Sequence, residues 1–262
     1  MTVLKKLKGL GWRSIAVAGL FMTINQVAIS GTTVIKSGVN KASVVELYTS
    51  EGCSSCPPAD DYLRVIESKL GEGAEVFPLA FHVDYWNYLG WNDPFSKSEY
   101  TKRQRRLGAI NEQRTIYTPE FIVDGLESRN QAITQNVINT NASKAKADIE
   151  LELDLSQFDQ PLQASIKVDN IDKWSGSVLY VALYESDLAR NIESGENRGK
   201  ILHHDYVVRD LIGPKRIKNG DTLSFDLPLM DDWQRENMGL VVMVKSRLTG
   251  ETLQAIRTPL VL

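Results

Sequence analysis

Two cysteines, Cys53 and Cys56, are the only thiols in the chain, and they stand three residues apart. In Cys53-Ser54-Ser55-Cys56 a β-rich run, Val44-Val45-Glu46-Leu47-Tyr48, feeds a loop through Gly52, and Pro57-Pro58 suits the first turn of a helix. Amide hydrogens at a helix N-terminus stabilise negative charge, so the first thiol would ionise below the ordinary value of about 8.5. Such a thiolate attacks a partner disulfide, and the second cysteine resolves the mixed disulfide. Three other readings stay open. A lone structural disulfide over so short a loop constrains little chain entropy. Binding of copper(I) or another soft metal needs further ligands beside the two thiolates, with His82, His203 and His204 as the candidates. An inactive pair is the third, and with it the protein would be a non-enzymatic binding protein that uses its aromatic surface for a partner or ligand.

The pair needs elements to position it. Ala59, Leu63, Ile66 and Leu70 fall at helical spacing after the cysteines, and Gly71 ends that helix. Residues 76–83 read as a strand that Pro78 demotes to an edge or a bulge. An aromatic stretch, Asp84 to Phe95, precedes a polar, basic helix from Ser98 to Ile110. Glu120 to Val123 is a strand, Asp124-Gly125 a hairpin turn, and Ser128 caps a helix to about Lys146. This order, β-α-β-α-β-β-α, is the thioredoxin-like layout, the scaffold that such a binding protein would keep. From Ile149 the pattern changes to alternation: Ile149, Leu151, Leu153 and Leu155, then Leu162, Ala164, Ile166 and Val168. Further strands are expected at 177–185, 201–208, 221–227, 238–246 and 252–258. The expectation is an α/β thioredoxin-like domain over residues 31–148 followed by an all-β, sandwich-like domain over 149–262.

The run from Val44 through Cys53-Ser54-Ser55-Cys56-Pro57-Pro58 to Asp60 resembles the opening of a family of exported bacterial proteins known as a domain of unknown function (DUF 1223). So do Phe81-His82-Val83-Asp84-Tyr85-Trp86, Leu89-Gly90-Trp91, Arg103-Gln104-Arg105, Tyr117-Thr118-Pro119 and Glu196-Asn197-Arg198-Gly199-Lys200. The resemblance covers about residues 44 to 210 and implies a thioredoxin-like domain with a β-rich one. It supplies no substrate. By the thioredoxin analogy, Thr118-Pro119 would be a cis-proline facing the cysteines and presenting backbone to a bound chain. Glu46 lies near where thioredoxins carry a buried acid; buried, its pKa would rise and make it a proton acceptor. Tyr85, Trp86, Tyr88 and Trp91 would form an apolar platform beside the thiols or pack between the domains. Lys102, Arg103, Arg105, Arg106 and Arg114 form a solvated basic face or a local anion site. Adjacent strand residues point to opposite faces, so His203 and His204 would not share one metal.

Residues 1–30 carry Lys5, Lys6, Lys8 and Arg13 without an acidic residue, then an apolar run from Ile15 to Ile24 and a small-residue exit at Ala28-Ile29-Ser30. That is the plan of a secretory signal peptide, too short in its apolar part to span a bilayer. Its removal would take the formal charge from −3 to −7 and leave no stable membrane span. The expected location is periplasmic or secreted, where disulfides persist. The acidic chain offers no field for nucleic acid. No Gly-x-Ser-x-Gly, phosphate loop or dinucleotide fingerprint occurs, so no cofactor is expected. The expected partners are a protein or small-molecule thiol or disulfide and a redox partner protein.

Overall fold

The computed structural model describes residues 31–129, 132–155, 161–172 and 176–260. The expected leader lies outside the described residues. Among these, fourteen strands and four α-helices are found.

One eight-stranded sheet organises the molecule. In spatial order it runs β14 (Thr252–Pro259), β13 (Met238–Ser246), β8 (Ser177–Glu185), β11 (Val207–Arg216), β3 (Val76–His82), β2 (Ser43–Thr49), β4 (Glu120–Val123) and β5 (Leu126–Ser128). A four-stranded sheet holds β1 (Thr32–Lys36), β6 (Asp148–Asp154), β7 (Leu162–Asp169) and β12 (Asp221–Leu227), and β9 (Leu188–Asn191) pairs with β10 (Ile201–His204) as a hairpin. The helices are α1 (Pro57–Arg64), α2 (Ile66–Leu70), α3 (Ser98–Ile110) and α4 (Ala132–Asn141).

Side chains alternate across a strand, and each face of the large sheet has its own partner. On one face Val44 and Tyr48 of β2, Phe81 of β3, Tyr180 of β8 and Met243 of β13 join Tyr100 and Leu107 of α3 in a single apolar layer. The other face is divided. At one end Val45, Leu47 and Ala80 pack on Ala59 and Leu63 of α1, Ile66 of α2 and Val137 of α4. At the other end Val181, Leu240 and Val242 meet Leu151, Leu153 and Ile166 of the smaller sheet, so this part is a sandwich.

This sheet overturns the expected fold class. An α/β thioredoxin-like domain followed by a separate all-β domain would keep two sheets, one on each side of residue 148. Instead β2 to β5 and the later β8, β11, β13 and β14 form one sheet, and strands dominate throughout. β3 is accordingly an interior strand, flanked by β2 and β11. Pro78 is tolerated there because β11 meets β3 only around Ala80, where Val207 pairs and the Ala80 amide donates to Tyr206 O. The missing amide of Pro78 faces a stretch that β11, parallel to β3 and beginning at Val207, has not yet reached. Two expected elements divide: the helix after the cysteines breaks at Val65, and residues 201–208 split into β10 and β11 at Tyr206, which has φ +57°.

The two parts also lock at a pair of turns. Gly125 (φ +94°) sits against Gly250 (φ +73°), and a Cβ on Gly125 would stand 2.2 Å from the Gly250 carbonyl oxygen. Gly125→Ala should therefore lower stability by about 2–4 kcal/mol, combining left-handed backbone strain with a backbone clash. A urea titration with unchanged slope and a reduced midpoint is the expected result.

Candidate functional site

The strand β2 delivers the chain into a tight loop. Cys53 N donates to Ser50 O, Cys56 N donates to Cys53 O, and Cys56 then caps α1 with Pro57 and Pro58 in its first two positions. Both prolines stand where helix amides lack partners, so the motif costs the helix no hydrogen bond. Cys53 and Cys56 form a disulfide with Cα atoms 5.4 Å apart, and both residues are completely buried. Ser55 Oγ lies 3.4 Å from Cys53 Sγ.

A segment from the distant part of the chain covers this loop. Between β9 and β10, Asn197 donates from Nδ2 to both Glu51 O (2.8 Å) and Cys53 O (3.0 Å), while Ser54 N donates to Glu196 Oε2 (3.0 Å). Asn197 is itself fully buried. The Glu196-Asn197 segment, one of the blocks singled out in the sequence, is thus a strap across the cysteine loop.

The aromatic residues hold the surroundings rather than forming an open platform. Trp86 Nε1 donates to Thr118 Oγ1 (2.7 Å), and the Trp86 Cβ packs against Gly52. Trp91 Nε1 donates to Glu51 Oε2 (2.7 Å), and its Cβ packs on Gly195 of the strap. Tyr85 is half-buried against the α3 layer, and Tyr88 is exposed. The Thr118–Pro119 bond is cis. Pro119, with Ser55, Pro58, Tyr62, Tyr117 and Phe121, lines an open groove of about 700 Å³ beside the cysteine loop.

Glu46 does not have the expected environment. Even-numbered residues of β2 face α3 and odd-numbered ones face α1, so Glu46 lies on the side of the sheet away from the cysteine helix. It accepts from Arg103 Nε (2.9 Å) and Nη2 (2.8 Å), Lys245 Nζ (2.7 Å) and Tyr48 OH (2.9 Å). Burial pushes its pKa up, but the two cations outweigh burial and hold the carboxyl well below the usual range. A carboxylate so held is no proton acceptor at neutral pH. The expectation of a raised pKa is corrected.

The buried carboxyl with a raised pKa is instead Asp60, which the sequence showed only as an acidic residue in the first helical turn. It lies one turn beyond Cys56, on the same helix face, and its amide donates to Cys56 O (3.1 Å). Burial raises its pKa to about 6, against the pull of His204 and His82. Around it sits a buried polar cluster. His82 Nδ1 meets Asp93 Oδ2 at 2.7 Å, and Asp93 Oδ2 also accepts from Glu51 N. His204 Nε2 approaches Glu51 Oε1 to 3.3 Å, and the two histidine rings meet edge to face at 5.0 Å. Burial lowers the His82 pKa, but the Asp93 carboxylate more than offsets it and leaves the imidazole above its ordinary value. Among the described residues, His82 Nε2 and His204 Nδ1 are buried here without a hydrogen-bond partner. His203, on the opposite face of β10, is exposed. Among the described residues no group of three or more His, Cys, Asp or Glu side chains is arranged to hold a metal ion. Nor is any helix there long and apolar enough to cross a membrane.

A family model described as a protein of unknown function (DUF1223) matches residues 44–245. The chain belongs to the DUF1223 family. The family match therefore takes in the cysteine loop, the strap and Lys245 together. Two solved structures resemble this family member. One is an X-ray structure of a protein from Agrobacterium tumefaciens, 23% identical, with a TM-score of 0.61, covering 84% of this chain and 95% of its own. The other is HBP35 of Porphyromonas gingivalis, 16% identical, with a TM-score of 0.60, covering 85% and 76%. At these identities the likeness shows the fold. No curated protein matches the chain.

Two outcomes follow from the charges. Glu46→Ala strands two buried cations and should cost about 3–5 kcal/mol in chemical denaturation. Asp60 acts in the opposite sense. Its folded pKa near 6 exceeds the ordinary 3.8, so between those values the native state binds more protons than the unfolded one, and stability falls as pH rises. Asp60→Asn should remove that fall, gaining up to about 2–3 kcal/mol over the parent at pH 7 and converging with it below about pH 4.

Proposed function

We propose that this chain is an exported thiol–disulfide oxidoreductase acting through Cys53 and Cys56 on protein or small thiol substrates. One observation carries the reading: the two cysteines close a disulfide at the entrance of α1, with the Asp60 carboxyl one turn behind them. Perturbed carboxyls cluster at functional sites, and one beside a nucleophile is placed to move its proton.

The chemistry balances without a cofactor. In the reduced protein the Cys53 thiolate attacks one sulfur of a substrate disulfide, forming a mixed disulfide while the other substrate sulfur leaves as a thiolate. Ionised Asp60 takes the proton of the Cys56 thiol. The resulting thiolate attacks Cys53 Sγ, closes the Cys53–Cys56 bond and expels the second substrate sulfur, which accepts a proton in turn. Two electrons pass from the pair to the substrate, and the reverse sequence oxidises a dithiol. A carboxyl with a pKa near 6 is ionised at pH 7 yet basic enough to accept the proton.

Because both sulfurs are buried beneath the strap, attack requires that segment to give way. The groove at Pro119 adjoins the loop at Ser55 and supplies aromatic surface for a substrate chain. Export is supported by the basic, then apolar, leader ending in small residues, and it would place the thiols where exchange partners are plentiful.

The test is trapping. Reduced Cys56→Ala protein should accumulate mixed disulfides on non-reducing gels, and Cys53→Ala should not. In single-turnover exchange at pH 7, Asp60→Asn should slow closure of the disulfide by about a hundredfold. An iodoacetamide titration placing Cys53 at the free-thiol pKa, together with no trapped adduct, would sink the reading.

A further inference from the structure

A second cavity lies on the other face of the large sheet, between α3 and the strands β8, β11 and β13. Its volume is about 230 Å³. Its inner end is formed by Arg103 and Lys245, two buried cations that share the single carboxylate of Glu46. Their donors are not exhausted. Among the described residues Arg103 gives Nε and Nη2 to Glu46 with no hydrogen bond found from Nη1, while Lys245 Nζ, able to donate three hydrogen bonds, makes one. Asp124 also faces Lys245, but its oxygens accept from Ser43, the Val44 amide and Thr140 instead.

The rim adds charge of the same sign. Lys102 and Arg106 line the cavity, and Glu99 is the one acidic residue beside them. Lys102 is exposed and Arg106 half-buried, so their charge adds attraction for an anion at the mouth of the cavity. Arg103 is also held in plane: its guanidinium stacks on the Tyr180 ring at 4.4 Å, which leaves the free edge for an in-plane acceptor. The remaining walls are apolar, from Leu107, Ile110, Val178, Leu211 and Pro214.

We propose that this cavity binds a small organic carboxylate with an apolar or aromatic body. The carboxylate takes the unspent donors of Arg103 and Lys245, and the body lies along the apolar wall. A planar carboxylate matches the guanidinium edge, and the volume, below that of drug-sized sites, limits the ligand to metabolite size. The site is separated by the sheet from the cysteine loop, so it stands or falls independently of the thiol chemistry.

Phenylacetate is the probe. Titrated calorimetrically into the full protein, it should bind in the millimolar range or tighter and raise the melting temperature. Neutral 2-phenylethanol should not bind. Arg103 and Lys245 hold the fold, so the variant is at the rim: Lys102→Gln with Arg106→Gln, checked by circular dichroism, should weaken phenylacetate at least about tenfold. Absence of phenylacetate binding, equal binding by the alcohol, or unchanged affinity in the rim variant would overturn the proposal. Inorganic phosphate binding as tightly as phenylacetate would also overturn it, because the apolar wall would then contribute nothing.

Discussion

The carboxylate of Glu46 is the point at which the molecule is tied together. It sits on the strand that leads into the cysteine loop, yet it is held by Arg103 from a helix and Lys245 from a strand 199 residues downstream. Each partner is buried, so none of the three could be solvated if another were lost. The triad fixes β2, α3 and β13 against one another on one face of the sheet. The opposite face of the same β2 then presents Thr49 and the cysteine loop to α1. Charge pairing on one side positions the cysteine loop on the other.

That separation leaves Glu46 and Asp60 in opposite electrostatic settings. A buried carboxyl with two cations stays ionised and inert, whereas one flanked by neutral or weakly basic groups is pushed towards physiological pH. The chain carries both kinds within fifteen residues of each other: the parity of β2 turns Glu46 away from the cysteine helix, and Asp60 lies on that helix itself. Trp86, Trp91 and Asn197 complete the site by fixing the loop: the first two reach Thr118 and Glu51 through their indole nitrogens, and the third bonds to two loop carbonyls.

Local patterns were well marked in the sequence. The strand into the cysteines, the Pro-led helix, α3 with its bounds at Ser98 and Ile110, and the alternating strands after Ile149 all follow from propensity and periodicity. Pairing was not. Periodicity says that a segment is a strand but carries no mark of its neighbour, and so β11 beside β3 and β1 beside β6 were invisible, as was the single sheet they belong to. The same limit applied to the site. Cys53, Cys56 and Pro119 announce themselves by residue type and spacing. Asp60 does not, because an acidic residue in a first helical turn is usually a solvated complement to the helix dipole. Its role depends on His82 and His204 arriving from two other strands, and the strap at Asn197 depends on a hairpin nearly 150 residues away.

Sheet order also sets an order of assembly. Synthesis delivers β2, β3 and α3 early, but β11, which flanks β3, and β8 and β13 beyond it, the last supplying Lys245, come in the last third of the chain. Until then Glu46 has one cation of two, β3 has an unpaired flank, and the cysteine loop lacks Asn197. Contacts of such long range are slow to form and leave strand edges open in the meantime. By placing the strap and the second cation late in the chain, the fold completes the surroundings of its cysteine loop only after Asn197 and Lys245 have been delivered.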